Sequence, residues 1–440
     1  MSIFWSFIIG AIIIIWFIRF GYQIGCKDMT YIPVATTRKK WSLKNFLGEQ
    51  VTYPGEKAGY KEILKIFGMA LAVRLGIYLI SIVIIFIHSD AASFTFDDFL
   101  NSWNRWDTPH YIDIADKGYA NCIENNQHLF LVFFPLYPWL LRLVHILIPD
   151  WELACLVLST LAYAIGCCFF YAVLAEEYTK AIAYKTLVLL SVFPFSFFFG
   201  AMMTESLFFC LIAAGFYFIR KHNWLAVGIT GIFCSLCRIQ GLILLGVAGV
   251  EFLITYPPVT MYKEKRIKEF VKTVLTKGSF LLLIPVGTLI YLYINYRIEG
   301  NPFQFMIYQR EHWYHNTTYF TNNLSEIITN LQNSDTTNTL RMCIWIPELL
   351  LFLLAILLLI YGMPRHPLKY TAYLLVYTLV NYSVTFLISG GRYMTCAFPL
   401  FIIAGEFFER HPKIYQWVIA ASAMLMAMYM TGYFEWKQIM

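Results

Sequence analysis

The sequence predicts an all-α polytopic membrane protein. Of its 440 residues, 59% are hydrophobic and only 14% charged, which lies outside the range of ordinary soluble domains. Most of the chain tiles into apolar runs of about 20 residues, the length a helix needs to cross a hydrocarbon core about 30 Å thick. Runs such as "IFWSFIIGAIIIIWFI" lack the alternation of barrel strands, which leaves helices. The basic residues lie in short loops between these runs. The formal net charge of +6 therefore reports orientation in the membrane; membrane lipids are the expected surroundings, and no nucleic acid is expected as a partner.

Taken in order, residues 2–18 are apolar from the start, with no basic region before them and no small-residue cleavage site, so they read as a retained anchor. Residues 19–65 carry Arg19, Lys27, Arg38, Lys39, Lys40, Lys44, Lys57, Lys61 and Lys65, an excess that belongs in the cytoplasm and puts the N-terminus outside. A crossing at 66–88 delivers residues 89–150 to the outer side. Within that loop, "LFLVFFPLYPWLLRLVHILI" (129–148) is interrupted by Pro135 and Pro138, each of which removes a backbone donor. It is expected to stay outside as an interfacial or re-entrant segment. Further crossings follow at about 151–175, 181–200, 205–219, 224–238, 241–256, 279–298, 343–362, 370–388, 393–408 and 414–432. That makes about twelve crossings, with the hairpin 224–256 short for two spans. The chain divides into an anchor and basic segment (1–65), a module 66–256 holding the first outer loop, and a module 257–440 with an outer loop at 299–342.

This threading keeps nearly every basic loop on the cytoplasmic side. It also gathers on the outer side "RWDTPH" (105–110), "TES" (204–206), "RIQG" (238–241), the loop 299–342 and "SGGRY" (389–393). Most of the cysteines sit inside apolar runs and read as small buried side chains. His312 and His315 have a metal-like spacing, but the loop offers no third ligand, so no metal is expected.

In "NRWDTPHYIDIADKGYA" (104–120), Thr108 and Pro109 read as the cap and first position of a short helix over 109–117, ended by Gly118. Tyr111, Ile114 and Ala115 share a face suited to the membrane surface, and Asp113, Asp116 and Lys117 face water. Asp107 stands at the helix mouth with Arg105, Trp106 and His110 around it. A free aspartate is ionised at neutral pH and can accept a proton from an attacking hydroxyl. Arg238 lies in apolar sequence, where insertion costs about 2.5–3.5 kcal/mol unless it meets water or a counter-charge. Glu205 can pair with Arg238 or position substrate hydroxyls, with helix capping by Thr204 and Ser206 accounting for part of the pattern. Arg392 follows two glycines that let backbone approach a ligand closely.

"RWDTPHYIDIADKGYA" followed by "FFPLYPWLLRL", then "TESLF" and "RIQG", resembles the PIG-V family of GPI mannosyltransferase 2, in particular its bacterial homologues, over about residues 66–255. The resemblance implies a GT-C fold and a glycosyltransferase, expected to be a mannosyltransferase, that uses a polyprenyl-phosphate sugar at the extracytoplasmic surface. It implies inversion at the anomeric carbon, no cofactor and no nucleotide sugar. The position matching the family's catalytic base is Asp107. Cations suited to the donor phosphate are Arg238, Arg392, Arg105 and His110, and Trp106, Glu205 and Gln240 are expected to position substrate. The acceptor is expected to be a lipid-linked or surface glycan. The location implied is a bacterial plasma membrane, or the endoplasmic reticulum in a eukaryote. A transporter or lipid flippase is the rival reading, since intramembrane arginines and broken helices also mark transport pathways. No second copy of "RWDTPH" is found, which favours the enzyme.

Overall fold

A computed structural model describes residues 2–25, 30–33, 46, 47, 49–88 and 94–439. Lys27, Arg38, Lys39, Lys40 and Lys44, on which part of the orientation argument rests, lie outside the described residues, as do positions 89–93 of the first outer loop. The described chain is overwhelmingly helical, and its single ladder pairs Thr30–Pro33 with Glu49–Thr52 in parallel. Seven helices are long and apolar enough to cross a membrane: Ile3–Gly25, Tyr60–His88, Trp151–Glu177, Ile239–Lys263, Ile267–Glu299, Asn338–Gly362 and Pro412–Phe434. The protein is thus an all-α, multi-pass membrane protein by helix length and composition.

The other five expected crossings are shorter helices: Lys180–Val192, Glu205–Arg220, Trp224–Cys237, Leu368–Tyr382 and Pro399–Arg410. At 12–16 residues, they rise only about 18–24 Å, so the count of twelve full spans is not established by length. Segment 129–148 divides into a turn at Leu129–Val132 and a helix Leu136–His145. Ten residues rise about 15 Å, too little to cross, in keeping with the proline argument.

Helix Glu205–Arg220 packs along Trp151–Glu177 in the same direction. Gly166 lies against Phe209 and the Cα of Cys210, the close approach that small residues permit between membrane helices. One end of this pair is fixed by Arg220 with Glu177, 3.6 Å apart. Lys369 donates to Glu177 there (2.5 Å) and reaches Glu251 (3.5 Å), and Tyr370 donates to the second oxygen of Glu177. Lys221 pairs with Glu176, and Lys185 with Glu409. The basic loops assigned to one side of the membrane therefore carry the acids that balance them.

The helix in the opening charged stretch spans Thr108–Lys117 and ends at Gly118, whose φ is 74°. Its expected cap is corrected. Asp107 is the N-cap residue with helical backbone angles and no side-chain cap bond, and the Thr108 hydroxyl donates to the carbonyl of Met202. The face holding Tyr111, Ile114 and Ala115 is buried in protein: Tyr111 meets Phe133 and Tyr137 edge-on at 5.1 and 5.3 Å. "FFPLYP" thus covers this helix, and the expectation that the helix face rests on the membrane surface fails. Asp113 pairs with Lys117 on the exposed face at 2.5 Å.

Candidate active site

Five segments far apart in sequence meet at the other end of Glu205–Arg220. Arg238 ends helix Trp224–Cys237 with an extended backbone (φ −154°, ψ 150°), and a short turn at Ile239–Leu242 starts the next helix. Gly241 makes this reversal possible. A Cβ there would lie 2.3 Å from the backbone of Cys234, so only glycine fits. The reversal aims the Arg238 guanidinium back at Glu205, whose Oε1 accepts from Arg238 Nη2 at 2.7 Å.

Arg392 approaches from the third direction. Its Nε donates to the same Glu205 Oε1 at 2.5 Å, and its Nη1 donates to Asp107 Oδ2 at 2.7 Å. Glu205 is fully buried and the Arg392 side chain only 4% exposed, whereas the Asp107 side chain keeps 28%. The chain of charges Arg238, Glu205, Arg392, Asp107 thus runs from the interior to an accessible carboxylate. Its formal charges cancel, as a low-dielectric site requires. Among the described residues, Arg238 Nη1 and Glu205 Oε2 are buried with no hydrogen-bond partner, which leaves polar capacity unmet there.

The glycines before Arg392 set its position. Gly390 N–H donates to Glu348 Oε1 at 2.6 Å, and a Cβ on Gly390 would overlap Glu348 Oε2. Glu348, in helix Ile346–Gly362, therefore pins the turn that carries Arg392. It escaped the sequence reading although an acid inside "IPELLLFLL" is itself a signal.

These groups line a cavity of about 530 Å³, within the range of small-molecule sites. Trp106, Asp107, His110, Arg238, Gln240 and Arg392 all face it, and Glu205 lies beneath through its arginines. His110 stacks on Phe133 with centroids 5.2 Å apart and lies tilted to Phe130 at 4.5 Å. Gln240 donates to Asn381 at 3.2 Å. Trp106 holds a left-handed backbone (φ 55°), a conformation costing about 1–3 kcal/mol that is found at functional sites. It turns its ring against Trp436.

Arg105 is a correction, because it does not line this cavity. Its guanidinium donates to the carbonyls of Ser102 and Phe434 and lies over the Trp436 ring at 4.1 Å. It is spent on tying the first outer loop to the C-terminal helix. The capping reading of "TES" also fails: Thr204 makes no side-chain cap bond, and the Ser206 hydroxyl donates to the carbonyl of Phe199. Of Glu205's two alternatives, pairing with Arg238 is what the geometry shows, with Arg392 as a second partner.

The sequence reading missed the wall supplied by Gln309, His312, Trp313, Tyr314 and His315. "QREHWYHN" attracted attention only for metal spacing; its mixture of rings and hydrogen-bonding groups was the better signal. Burial of His315 holds its pKa below the usual 6.5, partly offset by its contact with the carbonyl of Phe386.

No protein-family model matches the chain, and no curated protein matches it.

Proposed function

We propose that this protein is a GT-C-type membrane glycosyltransferase of the kind its resemblance to the PIG-V family implies, with about twelve crossings and its cavity on the extracytoplasmic side. The donor is a polyprenyl-phosphate sugar, mannose by that resemblance, and the acceptor a lipid-linked or surface glycan. The observation that carries the reading is the partly exposed Asp107 carboxylate held at 2.7 Å by Arg392 in a cavity that Arg238 also lines.

The acceptor hydroxyl oxygen attacks the anomeric carbon and forms the new glycosidic bond. The bond from that carbon to the phosphate oxygen breaks, and the electron pair leaves with polyprenyl phosphate. The hydroxyl proton passes to Asp107. Attack opposite the leaving group inverts the anomeric configuration. The charges balance: the phosphate gains one negative charge as Asp107 loses one, so the total within the cavity is constant. Once Asp107 is neutral, Arg392 is released from it and faces the phosphate at the moment its charge grows, which is where electrostatic stabilisation accelerates a reaction. Glu205 keeps the two guanidiniums together before the donor arrives. The Nη1 of Arg238, buried without a partner among the described residues, would reach a phosphate oxygen once the guanidinium turns toward the cavity.

Purified protein in nanodiscs, given labelled polyprenyl-phosphate mannose and a lipid extract, is expected to yield a mannosylated lipid. Asp107→Asn is expected to lower the rate by about 10²–10⁴-fold with donor binding retained. Full transfer by that variant removes the base assignment. Movement of labelled lipid between leaflets without product favours the flippase instead.

A further inference from the structure

Two bulky residues at the mouth of the cavity hold backbones that aromatic side chains rarely adopt. Tyr314 has φ 56° and Phe386 φ 52°, both in the left-handed region that crowds a Cβ against the chain. A short clasp between residues 314–318 and 383–386 keeps them there. The Thr385 hydroxyl donates to the carbonyl of Tyr314 at 2.7 Å and accepts the N–H of Asn316 at 2.9 Å. The Thr385 N–H donates to the carbonyl of Asn316, and the Thr318 N–H to that of Ser383.

The strain is not offset by burial. Tyr314 stays 68% exposed and Phe386 43%, with the rings edge to face and their centroids 6.2 Å apart. Both line the cavity, where Gln309, His312 and Ser389 supply hydrogen-bonding groups among the rings. An occupant that meets both kinds of wall needs flat apolar faces and a polar edge. A hydrocarbon tail would cover the amide, imidazole and hydroxyl without pairing them, which is unfavourable. A pyranose ring has C–H faces for the aromatics and hydroxyls for the polar groups.

We propose that Tyr314 and Phe386 form a pyranose-binding rim that holds a sugar ring of the acceptor glycan. Assigning the ring to the acceptor rests on the transferase function proposed for the same cavity. The charged floor is left to the donor phosphate.

Three probes separate these statements: octyl α-mannopyranoside for the rim, farnesyl phosphate for the floor, and farnesyl-phosphate mannose for the donor sugar. Tyr314→Gly and Phe386→Gly suit the test because glycine takes a positive φ without strain; the melting temperature is expected to hold or rise. The double variant is expected to weaken octyl mannoside binding by about tenfold and leave both farnesyl ligands within about twofold. Tyr314→Phe is expected to retain binding. Unchanged octyl mannoside binding in the double variant overturns the rim, as does failure of the unaltered protein to bind it. Selective loss of farnesyl-phosphate mannose assigns the ring to the donor and overturns the acceptor placement. If the unaltered protein binds octyl mannoside but not farnesyl phosphate, the rim stands and the transferase reading falls.

Discussion

Helix Glu205–Arg220 ends in a buried charge cluster at each end, and the two are inverse in sign. At one end Glu205 is shared by two arginines; at the other Lys369 is shared by two glutamates. Both central residues are almost fully buried, so each cluster meets the need of a buried ion for partners. They differ in what is left over. Around Lys369, Tyr370 and Arg220 take up the remaining capacity of Glu177. Around Glu205, one carboxylate oxygen and one guanidinium nitrogen lack partners among the described residues, and the cluster runs on through Arg392 to Asp107 in a cavity. Burial of charge alone therefore does not mark a site; unspent capacity beside an opening does.

That contrast is broken most severely by removing the shared ion. Glu205→Gln leaves two arginines facing each other, and Lys369→Met leaves two glutamates. Each is expected to cost about 3–5 kcal/mol, read as thermal unfolding in detergent. The outcomes should divide in the folded fraction, where Lys369→Met retains sugar transfer and Glu205→Gln loses it. Loss of transfer in well-folded Lys369→Met protein contradicts the division.

A gentler change keeps the charge and alters its shape. Arg238→Lys loses the planar fork and is expected to weaken farnesyl phosphate binding by about 1.5–3 kcal/mol. Arg220→Lys, at the half-exposed pair with Glu177, is expected to cost less than about 1 kcal/mol of stability and nothing in binding.

The smallest effect is a dependence on pH. Burial lowers the pKa of His315 beside the cavity and of His222 at the far end from the usual 6.5. Between the lowered value and 6.5 the unfolded chain binds more protons, so stability rises with pH and levels off above about 6.5. His315→Gln and His222→Gln should each flatten part of that slope between pH 5 and 7. Only the His315 variant should also alter the pH profile of transfer.

The residues that meet in the cavity were legible because charge in apolar sequence is costly and must be explained. Asp107, Glu205, Arg238 and Arg392 stood out one by one, and the loop-charge rule placed their segments on one side before any contact was known. Directions were not legible. Arg105 is closer in sequence to Asp107 than His110 is, but its guanidinium is held by Phe434 and Trp436, partners more than 300 residues away. Thr108 fits a cap by residue type, yet tertiary packing gives its hydroxyl to Met202. Glu348 acts through a backbone N–H at Gly390, and such a bond leaves no trace in the partner's side chain. The crossings expected at 181–200, 370–388 and 393–408 fold as the shorter helices Lys180–Val192, Leu368–Tyr382 and Pro399–Arg410, the first giving way to a turn at Ser196–Phe199.

The register of Gly166 against Phe209 carries a last consequence. Glu205 lies one turn before Phe209 on a helix running parallel to Trp151–Glu177, which puts it about 16 Å below the Trp151 end of its neighbour. With the Trp151 end at the outer membrane surface, as the proposed threading has it, the charged floor would sit partway down the membrane voltage. In the proposed transferase, a phosphate that arrives with one negative charge and departs with two would cross that part of the field in both directions. With about 2.3 kcal/mol per charge per 100 mV across the full membrane, the membrane voltage would then favour one direction of this traffic over the other.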